Sequence, residues 1–296
     1  MIRIGLVDFD TSHVQAFTQR FNHTHDLAES EWVDGARVVI GWPGDSEMMP
    51  ERIPGYVKAL EGYGIEIAAS MSDLFGKIDA VMIESQQGSR HLERARPFLE
   101  AGIPTFVDKP FAGNVQDAEE MIALAVKHDA PLLSCSALRF DPTIAMAKEA
   151  QTEYGKLLCA DVWGACALHA GNPGLLHYGV HGVEMLYALL GPGCTEVRLV
   201  RTPEGEVVTG FWSNLPSTIR GIRAGHYGFG FVAHFERGNV PYIVEGAAFY
   251  RELLQEFVAM CNNRKPPVPY PEMLEVMKFI SAADRSAEMG GAAVRG

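Results

Sequence analysis

A lysine between an aspartate and a proline follows an apolar run, and it is the first candidate for chemistry. In "GIPTFVDKP" the run Thr105–Val107 predicts a buried strand, which Asp108, Lys109 and Pro110 follow directly. Open α/β sheets bind ligands at the carboxyl ends of their strands, so Lys109 is expected at a binding edge. Its positive charge could stabilise a developing alkoxide. On this feature alone, a solvated surface lysine is an equally good interpretation.

A second candidate is the segment "HYGVHGVE", where two histidines and a glutamate recur at helical spacing. The pattern predicts a helix over Leu175–Leu190, which places His177, His181 and Glu184 on one face. In a redox interpretation His181 is a general base, because its ordinary pKa of about 6.5 lies near working pH. In a metal interpretation His177, His181 and Glu184 are three ligands of a divalent ion. In the simplest interpretation His177 and Glu184 make ordinary hydrogen bonds.

The turn after the first apolar run has the position of a dinucleotide-binding turn but lacks its glycines. A strand over Ile2–Asp8 leads into a helix that begins near Thr11. Where G-x-G-x-x-G would stand, the chain reads Asp8, Phe9, Asp10, Thr11, Ser12 and His13. A carboxylate about 4 Å from a phosphate costs about 4 kcal/mol per charge pair at an effective dielectric of 20. Either the aspartates turn away or no pyrophosphate binds there, and they also suit a helix start without any ligand.

The elements that must position these residues fall into two domains. Residues 1–138 alternate short apolar runs with helices, which predicts an α/β Rossmann-like domain. Residues 139–296 contain successive alternating runs, which predict an α+β domain with an open antiparallel sheet. We expect the two domains to pack closely, with a cleft where they meet.

Taken in order, these motifs resemble the Gfo/Idh/MocA family of sugar and cyclitol oxidoreductases over nearly the whole chain. Asp108–Pro110 is similar to the family's E-K-P, "RFDP" from Arg139 to its R-[FY]-x-P, and His91 to its histidine after the fourth strand. The family's D-x-x-x-H pattern is matched at His181, but the aspartate is replaced by His177. The resemblance implies a Rossmann domain that binds NAD(P) and a sheet domain that contacts substrate and often forms oligomers.

The resemblance also implies roles for particular residues. Catalysis is assigned to Lys109, His181 and His177. Cofactor binding is assigned to Asp8, Phe9, Asp10, Thr11, Ser12, His13, Ser85, His91, Asp108 and Lys109. Substrate binding is assigned to Lys109, Arg139, Asn172, His177, His181 and Glu184. The cofactor is NAD or NADP, with a preference for NAD. The end of the second strand, at Gly41 and Trp42, has neither an acid for a ribose hydroxyl nor an arginine for a 2′-phosphate, and Asp45 is only a distant candidate.

Composition limits the partners. The chain has 25 basic and 37 acidic residues and a formal net charge of −12, which disfavours nucleic acid and anionic membranes. No leader or membrane span is recognisable, and the five cysteines are scattered, which predicts a cytoplasmic protein with reduced thiols. Arg223, His226 and Tyr227 follow a predicted strand and could face the cleft.

The sequence therefore predicts an NAD(P)-dependent oxidoreductase that acts on a secondary alcohol of a sugar, cyclitol or related polyol. A homodimer or homotetramer is expected from the resemblance. One alternative is a lyase, epimerase or hydratase that uses a divalent metal at His177 and His181. The other is a non-catalytic sugar-binding protein, which would leave Lys109 and His181 without a chemical role.

Overall fold

The computed structural model describes residues 1–212, 215–226 and 228–295. The chain divides into two compact units, Met1–Cys135 with Tyr250–Tyr270, and Ser136–Phe249 with Pro271–Gly296. The sequence predicted a single boundary after residue 138, and the structure differs in assigning Tyr250–Tyr270 to the first unit. The physical reason is apolar packing, because the Phe257 ring lies 6.1 Å from the Phe106 ring of the first unit's sheet.

The first unit is built on a parallel sheet of six strands in the order β3-β2-β1-β4-β5-β6. The strands are β1 Ile2–Val7, β2 Ala36–Trp42, β3 Glu66–Ile67, β4 Ala80–Ile83, β5 Thr105–Val107 and β6 Leu132–Leu133. The connecting helices are α1 His13–Phe21, α2 Ile53–Gly62, α3 His91–Glu100 and α4 Val115–Lys127. Strand order reverses between β1 and β4, and ligands of such sheets bind at the carboxyl ends beside this switch point. The Rossmann-like prediction is confirmed.

The second unit contains a sheet of seven strands in the order β12-β11-β7-β10-β9-β8-β13. The strands are β7 Leu157–Ala165, β8 Glu196–Thr202, β9 Gly205–Phe211, β10 Pro216–Ile222, β11 Gly230–Phe235, β12 Gly238–Ile243 and β13 Val294–Arg295. The sheet is mixed rather than purely antiparallel, because β7 and β10 pair in parallel. Alternating apolar residues, such as Val197 and Leu199 in β8, predict which face is buried but not the direction of the neighbouring strand.

Five more helices follow the first unit's α4 in the chain. They are α5 Pro142–Glu149, α6 Gln151–Tyr154, α7 Val180–Leu190, α8 Ala248–Asn263 and α9 Tyr270–Glu288. Helix α7 lies close against β10, since a Cβ on Gly182 would stand 2.8 Å from Ile219. Within the described residues, no helix combines the length and the apolar character needed to cross a bilayer.

The start of α7 differs from the sequence prediction. The helix begins at Val180, and the preceding Gly174–Leu176 forms a 3₁₀ turn whose Gly174 has a φ of 60°. His177 therefore precedes the helix instead of sharing a helical face with His181 and Glu184. Propensity and periodicity do not reveal this break, because Leu175 and Leu176 are buried in either conformation.

Candidate active site

The carboxyl end of β5 carries an aspartate bonded on both oxygens. Asp108 is 1% exposed; its Oδ1 accepts the Lys109 N–H at 2.7 Å, and its Oδ2 lies 2.8 Å from Nδ1 of His13. Burial alone would raise the pKa of Asp108, but the neighbouring His13 and Lys109 outweigh it and lower that pKa to about 2. A buried carboxylate thus stays ionised beside the lysine predicted to take part in catalysis.

The end of the adjacent strand β4 carries Glu84, which the sequence analysis did not assign to the site. Its carboxyl is completely buried, and neither oxygen has a hydrogen-bond partner among the described residues. Burial and the charge of Asp108 raise the pKa of Glu84 well above its ordinary value. The available signal was an acid directly after the fully apolar strand "AVMI", because that position lies at the binding edge of a parallel sheet.

The two aspartates of the first turn are bound within buried networks. The Asp8 carboxylate accepts hydrogen bonds from Ser85 Oγ and, at 3.0 Å, from Arg94 Nε. The Asp10 carboxylate accepts from Ser46 Oγ at 2.6 Å and from the Gln86 N–H at 2.8 Å. Asp8 adopts a φ of 63°, a conformation that favours glycine. Of the two possibilities that the sequence left open, the structure favours aspartates that turn away.

The same turn uses two backbone amides that a glycine-rich turn would offer to phosphate. The Asp8 N–H donates to the Trp42 carbonyl at 3.0 Å, and the Phe9 N–H donates to the Pro43 carbonyl at 2.9 Å. The Phe9 ring also fills the space beside Gly41, where a Cβ would stand 2.5 Å from Phe9 Cζ. Asp8 and Phe9, predicted to bind cofactor, are therefore part of the folded scaffold.

The start of α1 is the part of this turn that fits a phosphate group. Ser12 is exposed and makes no side-chain cap, whereas the Thr11 hydroxyl accepts the His13 N–H at 2.9 Å. First-turn N–H groups and the positive end of a helix attract anions. The loop thus retains an anion-binding feature without its glycines.

His91 connects two loops of the first unit. It is fully buried, with Nε2 2.7 Å from the Ser85 carbonyl and Nδ1 3.2 Å from the Phe111 carbonyl. Ser85, also buried, bonds to Asp8. These residues, predicted as cofactor contacts, hold the loops after β4 and β5 in place.

In the second unit, His181 is held by Ser136. The Ser136 Oγ lies 2.6 Å from His181 Nδ1, and the His181 ring lies 5.3 Å from the ring of Tyr178. The hydrogen bond with Ser136 fixes the orientation of the His181 imidazole, a group suited to general-base chemistry. A cavity of about 470 Å³ in this unit is lined by Ala165, Ala167, Tyr178, Ile222 and Arg223. Its volume lies within the usual range for small-molecule sites.

Arg139 and Glu184, predicted to contact substrate, form a buried ion-pair network. Arg139 Nε donates to Glu184 at 2.8 Å, and its other arm donates to Glu272 at 2.6 Å. Burial raises the pKa of Glu184, and Arg139 opposes the shift. The network links α7 and α9.

This network also corrects the metal alternative. In the part of the chain that the structure describes, the residues that could hold an ion are His13, Glu84 and Asp108 rather than His177, His181 and Glu184. The Glu184 carboxylate is paired with Arg139, and His177 precedes the helix that carries the other two residues.

The remaining predicted residues have varied environments. His177 is 7% exposed, and its ring lies 5.4 Å from the ring of His169. Asn172 is buried, and its N–H donates to the His169 carbonyl. Arg223 donates to several carbonyls and to Glu206, so its guanidinium is fixed. His226 is exposed, and Tyr227 lies outside the described residues.

The sheet order and the charged carboxyl edge define the class of proteins with a Rossmann-type domain. Residues 49–134 match the profile of an oxidoreductase family with an NAD-binding Rossmann fold, Gfo/Idh/MocA. This match lies within the first unit, and it agrees with the resemblance that the motifs indicated. It is 30% identical over 129 residues to YceM of Salmonella typhimurium, a protein named as an oxidoreductase. That match covers 44% of this chain and only 40% of YceM.

Solved structures of similar fold extend over the full chain. The scyllo-inositol dehydrogenase of Lactobacillus casei, with bound NAD(H) and scyllo-inositol, has a TM-score of 0.81 at 16% identity and covers 100% of this chain and 99% of its own. The myo-inositol dehydrogenase of the same organism, with NAD(H) and myo-inositol, has a TM-score of 0.79 at 16% identity, covering 100% and 97%. At these identities the likeness establishes the fold.

Proposed function

We propose that the chain is an NAD-dependent dehydrogenase that oxidises a secondary alcohol of a cyclitol or a related sugar-like polyol. The observation that carries the proposal is the Asp108–Lys109 pair at the carboxyl edge of the parallel sheet. Its support is the family match and a fold shared with dehydrogenases crystallised with NAD(H) and inositols. NAD, when bound, supplies a hydride acceptor.

The first unit offers specific residues to the cofactor. Thr11 and Ser12 at the start of α1 would hold its phosphates, where the helix terminus partly compensates their charge. Asp45 follows β2, is 65% exposed, and pairs with Arg90 and Arg94. An acid here could accept a hydrogen bond from a ribose hydroxyl of NAD.

Lys109 and His181 have complementary chemical roles in the proposal. Lys109 would stabilise the alkoxide that develops on the substrate oxygen. His181 would accept the hydroxyl proton, with its ring held in place by the hydrogen bond between Nδ1 and Ser136 Oγ. The cavity beside Tyr178 in the second unit would accommodate part of a polyhydroxylated ring.

Calorimetry of nucleotide-stripped protein with NAD and NADP tests the cofactor. We expect NAD to bind below about 100 μM, which corresponds to about −5.5 kcal/mol, and NADP to bind at least about tenfold more weakly. Absence of NAD binding under these conditions would refute the dehydrogenase proposal.

A screen of inositols and sugars for NADH formation tests the reaction. With an active substrate, Lys109→Met should lower kcat at least about a hundredfold. Lys127→Met, a change at an exposed lysine of α4, is the matched control and should retain full activity. A loss of less than tenfold in the Lys109 variant would overturn the role of Lys109.

Ser136→Ala should shift the pH dependence of kcat, because the Nδ1 partner of His181 is lost. The cytoplasmic location and the oligomeric state stay predictions.

A further inference from the structure

Three potential metal ligands meet at the carboxyl edge of the first unit's sheet. His13 opens α1, Glu84 follows β4 and Asp108 follows β5. Each offers one ligand atom, and these atoms all lie within 4.8 Å of one another. His13 Nδ1 lies 2.8 Å from Asp108 Oδ2 and 3.8 Å from Glu84 Oε2. Ligands about 2.1 Å from one ion are separated by about 3.0–3.4 Å at right or tetrahedral angles, so small side-chain movements suffice.

Packing fixes the direction of the His13 ring. The ring stacks on Phe17 at 4.8 Å and meets the edge of Tyr250 at 5.3 Å. Its backbone N–H is held by the Thr11 hydroxyl. Phe17 and Tyr250 therefore hold the His13 ring with Nδ1 directed at the Glu84 and Asp108 carboxyls, so the ring has the orientation of a metal ligand before any ion binds.

Glu84 supplies the independent evidence for an occupant. Both of its carboxylate oxygens are buried, and neither has a hydrogen-bond partner in the described part of the chain. The residue is 0% exposed, so bulk solvent does not compensate it. An unsatisfied buried polar group is costly, and a buried carboxylate more so. A cation contacting Glu84 would remove that cost.

Further ionisable groups surround the three ligands. Asp10 and Asp108 both interact electrostatically with Glu84, and Lys109 opposes them. Lys109 also interacts with Asp108. Three buried acids, Asp10, Glu84 and Asp108, therefore share this edge with Lys109 and His13.

We propose that His13, Glu84 and Asp108 bind a divalent transition-metal ion. One imidazole nitrogen and two carboxylate oxygens suit Zn²⁺ or Mn²⁺, with further coordination positions for solvent or a ligand oxygen. His13 is partly accessible, with 11% of its side chain exposed, so the ion reaches the site from that side. The site stands on residues of the first unit and does not depend on NAD binding.

Metal titration of the chelator-treated 296-residue chain tests the site in the absence of nucleotide. We expect about one equivalent of Zn²⁺ or Mn²⁺ by equilibrium dialysis with elemental analysis. Glu84→Gln, Asp108→Asn and His13→Gln preserve side-chain size or hydrogen-bonding capacity, and each should weaken binding at least about tenfold. His25→Gln, at a histidine whose side chain is 94% exposed, is the control and should bind as the wild type does.

A further variant keeps the test decisive if a ligand substitution impairs folding. Lys109→Met removes the competing ammonium group and should tighten metal binding at least about fivefold, because like charges repel at short range. Failure of both the wild type and Lys109→Met to bind either ion would overturn the site. Unchanged binding by folded Glu84→Gln would overturn it equally. NAD binding by the same samples is measured separately by calorimetry. If the wild-type protein binds metal but not NAD, the dehydrogenase proposal is refuted and the metal site stands.

Discussion

Replacing Arg94 with methionine tests whether this arginine keeps the Asp8 carboxylate away from the phosphate-binding part of the first turn. Arg94 Nε donates to Asp8 at 3.0 Å, and a terminal nitrogen contacts Asp45 at 2.5 Å. The guanidinium also lies 4.9 Å from the centre of the Trp42 ring. Arg94→Met keeps much of the apolar stem and removes only the charged group.

The expected loss follows from the burial of each partner. The side chains of Arg94 and Asp8 are 6% and 2% exposed, and leaving one buried charge unpaired costs about 3–5 kcal/mol. Asp45 is 65% exposed, so its pair contributes at most about 1 kcal/mol. The Trp42 contact adds about 0.5–1 kcal/mol. We therefore expect a decrease of about 3.5–7 kcal/mol in the free energy of unfolding, most of it through Asp8.

Urea unfolding of Arg94→Met, Asp8→Asn and the double variant measures the coupling. We expect a coupling of at least about 1.5 kcal/mol, because Asp8→Asn removes the charge that the first substitution leaves unpaired. Arg90→Met is the control, since its partners Asp45 and Glu47 are 65% and 74% exposed. Additivity within about 0.5 kcal/mol, or equal losses in the Arg94 and Arg90 variants, would refute this account.

The same variants connect stability to cofactor binding. A released Asp8 carboxylate near a phosphate costs about 4 kcal/mol at 4 Å in an effective dielectric of 20. NAD affinity should therefore fall at least about tenfold in Arg94→Met and recover in the double variant. Unchanged NAD affinity in a folded Arg94→Met protein would show that Arg94 does not protect the phosphate site.

Two further predictions concern the second unit and the thiols. Arg139→Met should lower the free energy of unfolding by about 3–5 kcal/mol, because Glu184 and Glu272 lose their buried partner. Urea unfolding measures this decrease, and a decrease below about 1 kcal/mol would contradict the ion-pair network. Burial raises the pKa of Cys261 to about 12 and of Cys194 to about 11, so both favour the protonated folded state. Their stabilisation is complete below pH 9, the ordinary thiol pKa, and decreases as the pH rises towards these values, by up to about 1.4 kcal/mol per pH unit for each thiol. Cys261→Ala should flatten the fall in Tm above that pH, and an unchanged slope would contradict the shift.

Sequence order was sufficient for much of the fold. Apolar runs that alternate with helices indicated the parallel sheet, because each buried strand must be covered and connected. The motif at Asp108–Lys109 placed the lysine at a strand end, and β5 does end at Val107. A resemblance to the Gfo/Idh/MocA family was recognisable because several weak motifs occur in one order along the chain.

Tertiary structure decided what the candidate residues do. The sequence placed His177 on a helix with His181, but the 3₁₀ turn at Gly174–Leu176 ends before it and α7 begins at Val180. Arg139 and Glu184 have the residue types of a substrate site, yet they pair with each other over 45 positions of sequence. Such pairings depend on which helices become neighbours, and local spacing does not contain that information.

The first turn shows the division most clearly. The sequence determined that two aspartates replace glycines beside a helix start, and electrostatics then left two possibilities, aspartates that turn away or a turn that binds no pyrophosphate. Only the folded chain supplied the partners that hold them, Arg94 and Ser85 for Asp8, and Ser46 and Gln86 for Asp10. Burial in the folded sheet likewise leaves the Glu84 carboxyl without solvent and, among the described residues, without a hydrogen-bond partner. The reason is physical: residue type fixes charge, whereas solvation and partners arise from segments distant in sequence.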